Sequence, residues 1–506
     1  MFLCVEPDVV HAAGTPCSIT PVLTEADLNT CVAEAPTDNS EFAITIGADF
    51  NITAQKNIVA GKNITLTSVD PSNPATLTRG PSFVGRLFNS NTASVAVLTI
   101  DSIIIDGNNP IATTNNQLVF TAGTGDVTIN LIGNTVLKNN NSTSRGCAIS
   151  LEGANHKLDI QDNVQITNNT STASGAGIYS VGAINMTGGT ISYNTGYRGG
   201  GIYMDSGTSQ LFNMTNSAIS NNTATDNGGG IYIANGILNL NSGAIISNNI
   251  ASNSGGGIRM TGGTQINMYA GSAISGNTAG NNGGGASIIN IFNLYGGEIN
   301  GNTAGNGGGG VSVQGIGTAK LNIPAGSTGV ISGNSASVGG GVRIDEAISN
   351  ILDMAGGTIS NNAADNGGGV YVGSGTANIV SGNVVGNIAN VDGGGVYTED
   401  YGNLTVGANA IFSANRAATS SPTRDPAYDA VYATNILGTN WTTPFTQGYN
   451  NYDINHDYAP EAPGTGSVPS GLGNDAVSLM GFGCAVVTII IGAIFYVSIP
   501  LRSSRR

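Results

Sequence analysis

The densest set of side chains able to do acid–base work in this chain is Arg343-Ile-Asp345-Glu346, two carboxylates and a guanidinium within four residues. Cleaving a glycosidic or uronate linkage needs such groups in a cluster, with carboxylates acting as acid and base or holding calcium and a cation beside them. The other acids of the central region, Asp205, Asp226, Glu298, Asp353, Asp365 and Asp392, stand singly. Asp226, Asp365 and Asp392 each lie just before a glycine triplet, but the Gly-Gly-x-Gly-x-Asp pattern of calcium-binding repeats is absent. Three His and five Cys in 506 residues offer little material for a transition-metal centre. No catalytic residue, metal or cofactor is assigned from the sequence.

The second candidate is a column rather than a cluster. A glycine run followed by an apolar residue recurs with that residue at Ile178, Ile202, Ile231, Ile258, Ala286, Val311, Val342, Val370 and Val396, and Gly146-Cys-Ala-Ile149 is a degenerate first copy. The spacing is 24 to 31 residues, inside the range of solenoids. The residue after each apolar one is Tyr179, Tyr203, Tyr232, Arg259, Ser287, Ser312, Arg343, Tyr371 and Tyr397, with Tyr432 in a last copy that has lost its glycines. In the triplets Ile202-Tyr-Met204, Ile231-Tyr-Ile233 and Val370-Tyr-Val372 the first and third residues are aliphatic. That alternation predicts a strand with the aliphatics inward and the Tyr/Arg column outward. Stacked on successive coils, the column either ladders its rings for stability or offers ring faces to a sugar or a protein.

The elements that would position this stripe follow from the same period. A second short strand is expected in segments such as Ile237-Leu-Asn-Leu240, and a third in Ala218-Ile-Ser-Asn-Asn222. Three short strands per coil of about 27 residues describe a parallel β-helix, each strand pairing with its equivalent one coil away. The glycines permit close passage between coils. An Asn column at Asn139, Asn169, Asn194, Asn222, Asn249, Asn277, Asn302, Asn334, Asn362, Asn387 and Asn415 suits a left-handed bend and a hydrogen-bonded amide ladder.

The alternation of Gly-Gly-(Gly)-Ile/Val with apolar-x-x-Asn resembles the repeats of right-handed parallel β-helix surface proteins, among them bacterial adhesin-like proteins and the passenger regions of chlamydial polymorphic outer membrane proteins. The resemblance runs from Asn139 to Tyr432 and implies an all-β, right-handed parallel β-helix displayed for adhesion. It does not extend to a C-terminal β-barrel, so no autotransporter is expected. The same fold also carries polysaccharide lyases and hydrolases, which leaves a carbohydrate-active enzyme, or a purely structural wall spacer, as the competing readings.

Composition agrees with a scaffold. Gly accounts for 76 of 506 residues, only 9% are charged, and the net charge is -15. Nucleic-acid binding needs clustered Lys and Arg, so it is not expected.

The ends divide the chain further. Residues 1–13 read as a leader remnant, with Val10-His-Ala12 before Ala13 resembling a signal-peptidase site. Residues 14–135 read as an N-terminal cap and the first coils. There Thr24 to Ala35 is predicted to form a short amphipathic helix, capped by Thr24 and Asp27. Cys17 and Cys31 either bridge this cap or remain two buried thiols. Residues 136–435 carry the repeat, and 436–475 a C-terminal cap and stalk. Within Asn440 to Tyr458, Trp441, Phe445, Tyr449, Tyr452 and Tyr458 either cover the last coil or form a sugar-binding patch.

Residues 476–501 carry no charge and are long enough for one transmembrane helix. Arg502, Arg505 and Arg506 follow and would face the cytoplasm in a basic tail, 502–506. Ahead of the span, Ala462, Pro463, Thr465 and Gly466 resemble the Leu-Pro-x-Thr-Gly motif cut by sortases, with Ala462 in place of Leu. The resemblance implies a sortase partner and a cell-wall link at Thr465; the alternative is an uncleaved membrane anchor. Either places the β-helix at the cell surface, where a glycan or a protein of a host or neighbouring cell would be its partner.

Overall fold

The structure is a computed structural model, and it describes residues 14–108, 116–205, 210–315, 317–417 and 452–455. The leader, the Tyr432 copy, the sorting-like motif and the 476–501 span all lie outside these residues. Among the described residues no helix is long and apolar enough to cross a membrane.

The chain winds into a parallel β-solenoid of about 14 coils. Every strand pair has equivalent residues one coil apart. Ile178, Ile202, Ile231 and Ile258 stack into one inward column, Ile184, Phe212, Leu238 and Ile266 into a second, and Ile191, Ile219, Ile246 and Ile274 into a third. All of these side chains are buried and form one continuous core. A buried Leu or Ile contributes about 1.5–3 kcal/mol, and here the columns repeat that gain at every coil.

The first coils have three strands, as in Asn63–Ser68, Thr76–Arg79 and Phe88–Asn91, but from residue 141 onward most coils have four. In one coil they are Ile231–Ile233, Gly236–Leu240, Ile245–Ser247 and Ile250–Ala251. The fourth has two residues, too short for alternation to reveal, and it pairs with Thr223–Ala224 and Thr278–Ala279. In the last three coils the second and third strands fuse into single ten-residue strands, Ile351–Ser360, Thr376–Val385 and Leu404–Ser413, with irregular register at the former corner.

Between the third and fourth strands runs the amide ladder. Asn222 donates its backbone N–H and its Nδ2 to Oδ1 of Asn249, at 2.9 and 3.0 Å, and Nδ2 also donates to the Ile191 carbonyl at 2.9 Å. The same three bonds recur from Asn169 to Asn387. Two corrections follow. The first rung is Asn140, whose N–H donates to Asn169, and not Asn139. The left-handed residue is the one before the rung: Asn139, Asn168, Tyr193, Asn221, Asn248 and Asn361 all have positive φ. The bend and the amide therefore occupy adjacent positions, because a ladder amide must point into the coil while the residue making the turn points out.

The glycine triplet makes room for this ladder. Gly255 has φ +71°, and a Cβ on Gly257 would lie 2.6 Å from the Gly285 carbonyl and 3.1 Å from the Asn277 amide. A second, outer ladder on the second strands was not apparent from the sequence. Nδ2 of Asn239, Asn267, Asn293 and Asn322 each donates to the Asn of the preceding coil, at 2.8 to 3.0 Å. Its donors point towards the N-terminus, opposite to those of the inner ladder.

The helix Glu25–Glu34 closes the N-terminal end, with Thr24 and Asp27 forming a capping box and Leu28, Cys31 and Val32 buried. Cys17 and Cys31 are disulfide-bonded, with Cα atoms 5.4 Å apart. Lys56, almost fully buried, pairs with Glu25 at 2.5 Å and ties the helix to the first coils. At the other end residues 452–455 lie on the last coil: Val396 bridges Ile454, which is buried, and Asn415 donates to Asp453 at 2.8 Å.

Asn277→Ala should strip partners from the Ile246 carbonyl and the Asn249 N–H, each orphan costing about 1–3 kcal/mol. A clear fall in the urea midpoint is expected. Gly257→Ala should also destabilise, whereas Gly317→Ala, where a Cβ meets nothing within 4 Å, should leave the midpoint unchanged or slightly raised.

Candidate functional site

Register places the described part of the predicted stripe, Tyr179 to Tyr397, in one column. Tyr179, Tyr203, Tyr232, Arg259, Ser287, Ser312, Arg343, Tyr371 and Tyr397 pair in succession on the first strands. The column continues upstream through Ser150, Phe120 and Asn89, beyond the copies the sequence revealed. All of these side chains lie on the outer side of the strand, opposite the aliphatic column.

The rings, however, stack on one another. Tyr179 and Tyr203 stack at 5.6 Å, Tyr203 and Tyr232 at 4.9 Å, and Tyr371 and Tyr397 at 5.3 Å, with interplanar angles of 10° or less. Tyr203 thus has a ring on both faces, while Tyr371 and Tyr397 each cover one face of the other, and such pairs contribute about 0.5–1.5 kcal/mol each. The end of the first stack is closed by Arg145, whose guanidinium lies 4.4 Å from the Tyr179 ring centre. Tyr179 and Tyr232 are consequently only 1% and 8% exposed, while Tyr203, Tyr371, Tyr397, Arg259 and Arg343 are half-buried. What the face offers is ring edges, hydroxyls and guanidinium groups.

Arginines interleave with the rings. Arg86 lies 3.2 Å from the Phe120 ring centre, and Arg198 is 5.6 Å from that of Tyr232 and pairs with Asp226 at 2.7 Å. Arg259 donates to Ser287. Arg343 bonds Asn282 at 3.1 Å and Asp345 at 2.6 Å. Burial pulls the Asp345 carboxyl upward, but Arg343 and the N–H groups of Glu346 and Ser374 outweigh it and hold it below its ordinary range. Asp345 is thus held ionised in a local ion pair, while Glu346 is exposed and occupies a left-handed turn. The Arg343-Ile-Asp345-Glu346 run is not a paired acid and base.

A denser cluster sits elsewhere and was missed in the sequence. Arg145 bridges Glu152 at 3.6 Å and Asp205 at 3.4 Å and donates to the Tyr179 hydroxyl at 2.7 Å, and that hydroxyl donates to Asp205. Glu152 and Asp205 each stand two residues after a member of the stripe, Ser150 and Tyr203, so period-two counting would have put them on one face. Their carboxylates share one guanidinium, an ion-pair arrangement rather than an opposed acid and base. Among the described residues no three His, Cys, Asp or Glu side chains converge to hold a metal ion. Lys320 and Asp353 form a further pair at 2.5 Å on the second strands. No family model, curated protein or solved structure matches the chain.

Burial and the Asp205 carboxylate push the Tyr203 hydroxyl up to about 12. Burial and the bonds to Asp205 and Glu399 likewise raise Tyr179 and Tyr371. A phenol with a folded pKa above its unfolded value of 10.0 favours the fold below pH 10, and that contribution disappears as pH rises through about 12. Absorbance titration should show a late-ionising set of tyrosines, and thermal stability should fall between these pH values. Tyr203→Phe should lessen that fall; an unchanged profile would remove the stack as its cause.

Proposed function

We propose that the chain is a surface-displayed, adhesin-like binding rod whose Tyr/Arg face docks a glycan or protein on a host or neighbouring cell. The observation that carries this reading is the unbroken register of the column from Phe120 to Tyr397, with Arg86, Arg145, Arg198, Arg259 and Arg343 set among the rings. Tyr and Arg are the side chains that dominate binding hot spots, since both combine a large apolar surface with directional donors. The face is rigid because each ring is held by its neighbours, so docking would cost little side-chain entropy. Surface placement is supported by the sequence of the C-terminal region, where the sorting-like Ala462-Pro463-Gly-Thr465-Gly466 precedes the uncharged run 476–501 and its basic tail. The carbohydrate-enzyme reading is weaker, because Glu152 and Asp205 are both engaged by Arg145 and Asp345 by Arg343.

Replacing Tyr203, Tyr371 and Tyr397 together by Ser should weaken attachment to cells or to a glycan array by about tenfold or more, the effect of losing about 1.4 kcal/mol. Circular dichroism would show the coils retained. Unchanged attachment by the folded variant would contradict the docking role of this face.

A further inference from the structure

A different corner of the solenoid holds a second surface with its own chemistry. Between the second and third strands the chain turns through Asp162, Gly189, Asn216 and Gly243 in successive coils, each with positive φ. These turns enclose an open groove of about 420 Å³. Its walls carry the side chains of Asp162, Asn163, Gln165, Thr190 and Asn216, with Ile245 as an apolar patch. Gly189 and Gly243 contribute no side chain, and the depression lies where neighbouring turns would otherwise project one.

The walls are oriented before any ligand arrives. Asp162 accepts the Gly133 N–H at 3.0 Å, and Asn163 donates to Asn134 at 3.2 Å. The lining contains one carboxylate, three carboxamides and two hydroxyls, and no Lys, Arg or His. Carboxamides and carboxylates match paired hydroxyl groups, donating and accepting at once. A phosphate, sulfate or uronate would find no cation here, and it would meet Asp162 in a chain of net charge -15.

An aromatic platform adjoins the groove. The Asn241 N–H bonds the Met214 carbonyl, the Tyr269 N–H that of Leu240, and the Tyr295 N–H that of Met268, so Asn241, Tyr269 and Tyr295 hold one corner position in successive coils. The two rings stack at 5.3 Å and are 39% and 41% exposed. Tyr295 covers one face of Tyr269 from the following coil and Asn241 holds the equivalent position in the preceding one, so the pair presents its exposed ring edges beside the turn of Gly243.

From this juxtaposition of an uncharged-donor groove and a part-exposed tyrosine pair along one corner, we infer that the corner binds a neutral oligosaccharide laid parallel to the solenoid axis, with a sugar ring against the exposed edges of Tyr269 and Tyr295 and hydroxyl groups met by Asn163, Gln165 and Asn216. The site is separate from the Tyr/Arg face. Failure of that face to mediate attachment would leave the groove's binding intact, and the reverse holds equally.

Calorimetric titration of the full chain with cellohexaose, chitohexaose and mannohexaose, and with hexagalacturonate as the anionic counterpart, tests the assignment. At least one neutral probe should bind with Kd below about 1 mM, and hexagalacturonate should bind at least about tenfold more weakly. Tyr269→Ala and Gln165→Ala should each weaken the neutral probe by about tenfold, while Gly317→Ala, where a Cβ meets nothing within 4 Å, should not. Gln165 is exposed at the start of its strand, so its variant keeps the test open even if the ring substitution perturbs folding. Absence of binding by all three neutral probes, preference for hexagalacturonate, or undiminished affinity in the folded variants would each overturn the inference.

Discussion

The amide of each buried Asn is where two demands of the solenoid meet. A coil must turn between its third and fourth strands, and the carbonyl groups freed by that turn are buried between coils, where an unpaired polar group costs about 1–3 kcal/mol. One carboxamide answers several of these demands at once. Its Oδ1 accepts from the N–H and Nδ2 of the preceding Asn, and its Nδ2 donates onward and to a strand carbonyl. From Asn140 to Asn415 the rungs repeat with one polarity and end on the Asp453 carboxylate, an acceptor placed where the last Nδ2 requires one. At the opposite end the Asn140 Oδ1 has no partner among the described residues, and the fully buried Arg79 shares the Asn116 carbonyl with Asn140. Desolvation pulls the Arg79 guanidinium down to about 10.

The composition of the chain follows from this ladder. An amide that fills the corner leaves no space for a side chain on the facing strand of the neighbouring coil, and the glycine there is set by that contact as well as by backbone conformation. Charge is scarce because the repeating positions are taken by amides, hydroxyls and glycines that hydrogen-bond between coils. Once the ladder fixes register, every other column inherits it: the stacked tyrosines, the outer Asn ladder with its opposite polarity, and the tyrosine platform beside the groove. Function in such a fold is a matter of which side chain stands at which height in which column.

This explains what the sequence made legible. Period and alternation identify the solenoid, the inward aliphatics and the membership of the Tyr/Arg stripe, since each depends on a residue's own position. The fourth strand escaped notice because two residues carry no alternation. The first rung was misplaced by one because Asn139 and Asn140 are the same residue type and only the bond to Asn169 tells them apart. The sequence leaves the Tyr column between a stabilising ladder and open ring faces because a face is open or closed according to the coil above it, and that coil is remote in sequence. Arg145, Glu152 and Asp205 meet for the same reason, as do Asn241, Tyr269 and Tyr295. Sites of this kind are defined by height along the axis, which a linear scan for clustered acids does not register.

Hydrogen exchange of the full chain, read at the backbone N–H of Asn194, Asn222, Asn249, Asn277, Asn302, Asn334 and Asn362, tests the ladder's primacy most directly. Each of these donates to the Oδ1 of the following rung. They should be among the slowest amides in the chain and exchange at one common rate set by opening of the whole stack. Exchange at individual, unrelated rates, or as fast as the exposed corner amides of Gly262 and Gly326, would contradict the view that these amides hold the coils in register.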